Sequence, residues 1–171
     1  MRFACRGWAV VAAVIWSCVF AAVHLFWALG GSVGLASSAG SDLAARRPPM
    51  FVAAGLWGVA VALLAGAVFV GVAAAMNMPR RWRWVMAWMI GLAGLLLLAR
   101  GVLVEVALAA DAGGVRREVG PHQTRWSLML WNPWFVIGGV LFMGAGRDIA
   151  KRCSRSAGRA KAQAVAGLGS R

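Results

Sequence analysis

The chain has 171 residues, of which 61% are hydrophobic and 13% are charged, and its formal net charge is +13 at pH 7. This composition excludes an ordinary soluble fold and predicts one small membrane domain, because the apolar residues are gathered into four long stretches. A charge of this size would suggest nucleic-acid binding in a soluble protein, but here membrane topology explains how the basic residues are distributed. We therefore expect no nucleic-acid partner.

Four apolar stretches each predict a transmembrane helix, at about residues 8–29, 51–76, 84–109 and 127–146. Each provides the roughly 20 helical residues that cross a hydrocarbon core of about 30 Å. The predicted fold is all-α: a polytopic membrane protein with four transmembrane helices in a small bundle within residues 1–146. The first stretch also resembles a secretory signal. It is longer than the apolar run of a signal, so we expect it to be retained.

The connections differ in composition. Loop 32–50 is small and polar and ends at Pro48-Pro49, which is compatible with a short interfacial turn or with disorder. Loop 111–125 has the Gly and Pro residues of a surface connection. The basic tail 147–171 is rich in Ala, Gly and Ser, which predicts a disordered or surface-lying cytoplasmic segment held near anionic lipid headgroups.

The basic residues indicate the orientation. With a cytoplasmic N-terminus, twelve of the eighteen Lys and Arg residues lie on inner segments, five lie on outer loops, and Arg100 lies within a span. This bias predicts an N-in, C-in, multi-pass protein of the bacterial inner membrane. The three Cys residues have neither CxxC nor zinc-site spacing, so no disulfide framework, metal or cofactor is predicted.

Four side chains within the predicted spans carry a charged, imidazole or amide group: His24, Arg100, Glu105 and Asn132. Polar and charged groups are costly in hydrocarbon, which makes such residues candidates for a functional site. At a rise of about 1.5 Å per residue, all four lie in the predicted outer half of the membrane. Small residues at steps of three and four form a stripe along each helix, and these stripes place His24 and Glu105 on faces that meet other helices. The stripes of the first two helices include Ala13, Ser17, Ala21, Gly58, Ala62 and Ala73. We therefore expect a shared polar interior.

These residues suggest a candidate pocket. His24 can exchange a proton near neutral pH, and Glu105 could orient it or act as a base. Arg100 could pair with Glu105 or hold an anion, although the two lie about 140° apart around a helix. Asn132 precedes Pro133, which should kink the last helix. Trp27, Trp131 and Trp134 would form the walls, so that the candidate pocket is His24, Trp27, Arg100, Glu105, Trp131, Asn132 and Trp134.

Three functions remain open. The sequence lacks Walker, HExxH, GxSxG, CxxCH and Rossmann motifs, which argues against familiar hydrolase, nucleotide and redox chemistry. The leading prediction is therefore a non-catalytic component that packs with itself or with partner membrane proteins. The alternative is a protein or enzyme that binds a lipid- or isoprenoid-like ligand in the candidate pocket. The third is an oligomeric transporter, because four helices alone can hardly enclose a conduction route.

Two segments carry a family resemblance. His24-Leu25-Phe26-Trp27-Ala28-Leu29-Gly30-Gly31 resembles the H-x-[YF]-W-A-x-G-G motif that ends the first helix in a bacterial family of small four-helix membrane proteins, the domain-of-unknown-function family 3995. Trp131-Asn132-Pro133-Trp134-Phe135 with Gly138-Gly139 resembles the Pro-containing, glycine-paired last helix of that family. The resemblance covers about residues 8–146. It implies the four-helix topology and draws attention to His24 and Trp27, but it implies no reaction.

Overall fold

The computed structural model describes the backbone of residues 7–168 and the side chains of residues 7–151. Over this range the chain is helical, without strands. The helices are α1 (Trp8–Ala28), α2 (Leu35–Ala39), α3 (Ser41–Arg46), α4 (Val59–Ala75), α5 (Arg80–Ala109), α6 (Val115–Val119), α7 (Pro121–Trp126) and α8 (Asn132–Leu168). A π-helical segment, Phe51–Gly58, leads into α4, and another, Ser127–Trp131, joins α7 to α8. A 3₁₀ turn, Ala112–Gly114, precedes α6.

Four helical segments are long and apolar enough to cross a membrane: Trp8–Ala28, Phe51–Ala75, Arg80–Ala109 and Pro121–Lys151. The prediction of an all-α chain with four such helices is therefore confirmed, and their length and composition indicate a membrane protein. The third segment begins at Arg80 rather than near residue 84. The fourth begins at Pro121 rather than near residue 127.

Helix α8 does not end at Gly146. Its backbone continues to Leu168, so residues 147–168 are helical where the sequence predicted a disordered or surface-lying tail. The physical reason is composition: Ala, Arg, Lys and Gln are strong helix formers, and no Pro interrupts this part of the chain. The predicted contact of the tail with anionic headgroups concerns side chains beyond residue 151, which lie outside the described residues.

The spans pack as two helical hairpins. Helix α1 packs on α4, and α5 packs most extensively on α8, while the contact of α1 with α8 joins the two pairs. Helices α4 and α5 touch each other little. We call the end of the bundle with Trp8, Ala75 and Arg80 the terminal end, and the end with α2, α3, α6 and α7 the loop end.

The half of the bundle toward the terminal end has an apolar core to which all four spans contribute. Its buried residues are Val10, Ala13, Trp16, Phe20, Val70, Ala73, Ala87, Ile90, Phe142, Ala145 and Ile149. Between α5 and α8 the backbones approach closely at glycines. A Cβ on Gly94 would lie 2.8 Å from Gly139 O, and a Cβ on Gly139 would lie 2.7 Å from Leu98 N. Only glycine fits at these two positions.

The half of the bundle toward the loop end has a separate, smaller apolar core. A second core joins Trp27 of α1, Leu35 of α2 and Leu56 of the first π-helical segment. Loop 32–50, for which the sequence allowed a turn or disorder, thus contains two short helices, and one of them is anchored by a buried leucine. Gly58 and Ala62 were predicted to face other helices, but both are exposed. The face of α4 that meets the core carries Ala60, Ala67, Val70 and Ala73 instead.

Two arginines cap the C-terminal ends of helices α1 and α5, which lie at the loop end. Arg47 donates to Trp27 O at 3.1 Å and also to Gly31 O, at the end of α1. Arg116 donates through Nε to Leu108 O and through Nη2 to Ala109 O, both at 2.6 Å, at the end of α5. A helix leaves its last carbonyl groups without partners, so a guanidinium at this position satisfies them and opposes the helix dipole favourably.

Candidate functional site

Glu105 and Asn132 meet across the contact between α5 and α8. Asn132 Nδ2 donates a hydrogen bond of 3.0 Å to Glu105 Oε2. Asn132 is buried, with 1% of its surface exposed, and Gly101 makes the approach possible, since a Cβ there would lie 2.9 Å from Asn132 O. The amide is the only hydrogen-bond partner of the Glu105 side chain within the described residues. This contact joins the third and fourth spans.

His24 is buried on α1 and bonds within its own helix. Its Nδ1 lies 3.0 Å from Phe20 O. Because a carbonyl oxygen only accepts, Nδ1 carries the hydrogen, and Nε2 of the neutral ring keeps its lone pair. Within the described residues Nε2 makes no hydrogen bond, and Glu105 does not bond to His24. The structure therefore does not form the His–Glu pair that the sequence suggested.

Rings fill the space between α1 and the fourth span, and we call this set the aromatic cluster. Its members are Trp16, Phe20, His24, Trp27, Trp131, Trp134 and Phe135. His24 is in edge contact with Phe20 at 4.6 Å between ring centroids and with Trp27 at 5.2 Å. Trp27 in turn contacts Trp131 at 5.7 Å. Of the predicted wall residues, Trp27 thus packs against His24 and Trp131, whereas Trp134 packs against Trp16 and Phe20 in the same cluster.

The indole nitrogens extend this cluster into hydrogen bonds. Trp131 Nε1 donates to Ser37 Oγ at 3.3 Å, which ties the fourth span to the first connection. Trp27 Nε1 donates to Val33 O at 2.8 Å. Trp16 Nε1 donates to Trp134 O at 3.2 Å. Trp134 stacks on Trp16 with a ring separation of 5.7 Å, but its own Nε1 is buried and has no partner within the described residues.

Arg100 lies apart from the other predicted site residues. Its side chain is exposed, and its Cζ sits 4.6 Å from the centre of the Phe135 ring, a cation–π contact. It forms no ion pair with Glu105 within the described residues, as the angle between the two positions on the helix suggested. Its guanidinium therefore points along the outside of the aromatic cluster rather than into a shared polar interior.

The backbone around Asn132 is irregular. Pro133 has no N–H, so it cannot donate to the preceding turn, where a kink was expected. The chain forms the π-helical turns Ser127–Trp131 directly before Asn132. Such wide turns are uncommon and occur often at functional sites. They carry Trp131 into contact with Trp27 and Ser37.

Several residues of this region were not identified from the sequence. Phe20 lies one helical turn before His24, and that spacing is a signal that could have revealed it. Ser37 lies in a small polar loop that offers no such signal, and Phe135 was quoted only as part of a motif. Within the described residues, no group of three or more His, Cys, Asp or Glu side chains is placed to hold a metal ion.

The relation to known proteins rests on one match. No curated protein and no solved structure matches this chain. Residues 17–142 match the model of a family described as "Protein of unknown function (DUF3995)", a stretch that contains all seven predicted site residues and parts of all four spans. The chain therefore belongs to this family, whose activity is unknown, and it is the family that the motif ending α1 suggested.

Proposed function

We propose that this chain is a non-catalytic, multi-pass protein of the bacterial inner membrane that acts by packing with itself or with partner membrane proteins. One observation carries the proposal: the polar side chains that looked reactive already bond within the chain. Asn132 is bonded to Glu105, and His24 is bonded to Phe20 O. Rings occupy the space beside them, and the bond of Asn132 to Glu105 fixes the contact between α5 and α8, as expected of polar residues that hold two spans together.

The distribution of charge supports an N-in, C-in orientation. Helix α5 begins directly after the short link from α4 with Arg80, Arg81 and Arg83. The segments at the terminal end contain twelve Lys and Arg residues in all, whereas the connections at the loop end contain five. Short loops weigh most in the positive-inside rule. In this orientation the terminal end faces the cytoplasm and the candidate site lies toward the outer leaflet.

An exposed face of α4 and its π-helical segment supports packing with another helix. Ala54, Gly58, Ala62 and Ala65 are small and are not covered by this chain. Small residues let two helices approach closely in lipid. Packing there would use the part of α4 that turns away from α1.

The test is the oligomeric state in native lipid discs, measured by single-molecule photobleaching and by crosslinking in membranes. We expect an oligomer or a stable partner for the wild type. Replacing Gly58→Ile and Ala62→Ile together should reduce the assembled fraction several-fold. The matched control, Gly71→Ile with Ala75→Ile, makes the same two changes at the same spacing on another side of α4, where a Cβ on Gly71 meets no atom within 4 Å, and should leave assembly unchanged. A solitary monomer in native membranes would contradict the proposal.

A second candidate function is binding of a lipid- or isoprenoid-like ligand, and two observations favour it. Nε2 of His24 has a free lone pair, and Nε1 of Trp134 is a buried donor without a partner within the described residues. Arg100 would contact an anionic group at the edge of the aromatic cluster. Mass spectrometry of small molecules retained in native discs tests this reading. A specific species should be lost in His24→Ala and kept in Cys18→Ala, which alters an exposed position of the same helix.

A further inference from the structure

A basic cleft opens at the loop end, away from the aromatic cluster. Its volume is about 600 Å³, and its walls include Arg116, Arg117, Thr124, Arg125, Leu128 and Met129. These residues come from α6, from α7 and from the π-helical turns that begin the fourth span. The cleft therefore combines a connection that lies outside the hydrocarbon with the first turns of a transmembrane segment.

The cleft is positively charged, and none of the described residues that line it is acidic. Arg116 is held in place by Leu108 O and Ala109 O. Arg117 and Arg125 are exposed and make no hydrogen bond or ion pair within the described residues. Two free guanidinium groups thus lie next to a third that is fixed. Arginine binds phosphate oxygens in a forked geometry, which makes this set suitable for a phosphate group.

Thr124 adds an unsatisfied polar group to the same wall. Its side chain is 8% exposed, and its Oγ1 is buried without a hydrogen-bond partner within the described residues. A buried hydroxyl without a partner is costly. Thr124 lines the cleft, so a ligand held there lies next to this residue. A phosphate oxygen there would accept the hydrogen bond that the protein does not provide.

The lower part of the cleft is apolar. Leu128 and Met129 lie below the arginines, at the start of the fourth span, and Met129 is 67% exposed. A free anion would leave this apolar surface uncovered. A ligand that carries a hydrocarbon chain below a phosphate would cover it.

We propose that the cleft binds the phosphomonoester or diphosphate headgroup of a membrane lipid, with the lipid chain lying along Leu128 and Met129. A phosphomonoester carries a charge of about −1.5 to −2 near neutral pH, which matches several guanidinium groups better than the single charge of a phosphodiester. This site is separate from the interface and from the aromatic cluster, so it stands whether or not the protein oligomerises.

The experiment uses the full chain in phosphatidylcholine discs that contain a minor fraction of phosphatidic acid or of phosphatidylglycerol, and native mass spectrometry measures the lipid retained. We expect phosphatidic acid, the monoester, to be retained roughly tenfold more than phosphatidylglycerol, the diester, because one additional charge-assisted contact is worth about this factor. Arg125→Gln should reduce retention of phosphatidic acid by a similar factor. The control Arg46→Gln removes the same charge at the same end, where Arg46 pairs with exposed Asp42, and should change little.

Thr124→Val separates binding from folding. It removes the unsatisfied hydroxyl with little change of shape, so the thermal stability of the protein should stay the same or rise while retention of phosphatidic acid falls. Three results would overturn the proposal: equal retention of both lipids, an equal loss in Arg46→Gln and Arg125→Gln, or displacement of phosphatidic acid by inorganic phosphate at millimolar concentration. The last result would indicate a site for soluble anions.

Discussion

The two halves of this bundle are held together by different means. Toward the terminal end, regular helices pack apolar side chains and approach at Gly94 and Gly139. Toward the loop end, the helices contain π-helical turns, and hydrogen bonds from Asn132, Trp131 and Arg47 join separate elements. Polar contacts are thus concentrated where the backbone is irregular. In hydrocarbon a regular helix satisfies its own backbone, whereas an irregular one needs partners from elsewhere in the protein.

The largest loss of stability should come from a substitution at the close helix contact in the half toward the terminal end. Gly139→Val would place its side chain against the α5 backbone near Leu98 N and Gly94 O, so the two helices must separate. We expect a loss of about 3 kcal/mol in the free energy of unfolding, measured in mixed micelles. Gly71→Val is the matched control, because a Cβ on Gly71 meets no atom within 4 Å. An equal loss in both variants would show that helix propensity, rather than the close approach, sets the cost.

An intermediate effect should come from the polar contact between α5 and α8. Asn132→Leu leaves the Glu105 carboxylate without its amide donor, and we expect a loss of about 1–2 kcal/mol in the free energy of unfolding. Glu105→Gln keeps an acceptor oxygen and should cost less. If Glu105→Gln lowers the free energy of unfolding more than Asn132→Leu does, the charge of Glu105 has a role that the hydrogen bond does not explain. That result would support the ligand-binding hypothesis.

The smallest effect should come from the arginine caps. Arg47→Gln removes the donors to Trp27 O and Gly31 O, and we expect a loss of at most about 1 kcal/mol. Hydrogen–deuterium exchange should become faster in α2 and α3 while exchange in the terminal half stays unchanged. Arg46→Gln removes only an exposed ion pair and should alter neither the free energy of unfolding nor the exchange rates. Faster exchange throughout the bundle would contradict the separation of the two halves.

The sequence was most informative where periodicity and length decide the structure. The four spans followed from apolar runs, and the stripe on α1 correctly placed Ala13, Ser17 and His24 among the buried residues. Gly58 and Ala62 of the α4 stripe meet no other helix of this chain, because sequence does not distinguish small residues that pack within one chain from those on its outer surface. The helical backbone of residues 147–168 was not predicted, because the Gly and Ser content of the tail suggested disorder while its Ala, Arg and Lys residues favour a helix.

The candidate site was only partly accessible from sequence. Depth along each helix correctly suggested that Glu105 and Asn132 could meet, since both lie near the loop end of adjacent spans. Depth alone does not give rotation about the helix axis, so the sequence did not determine whether Arg100 faces the interior, and in the structure its side chain is exposed. The bond from Trp131 to Ser37 joins residues 94 positions apart, and no local pattern could predict it.

The arrangement of the spans as two hairpins has a consequence for synthesis in the cell. Each pair that packs closely, α1 with α4 and α5 with α8, consists of consecutive spans, so each can form soon after its second member enters the membrane. Only 27 positions separate Glu105 from Asn132, so the hydrogen-bond partner of Glu105 is synthesised soon after it. The contact of α1 with α8 forms after both hairpins, because it joins one helix of each pair. Biogenesis of this protein is therefore expected to proceed through two independently inserted hairpins that dock along α1 and α8.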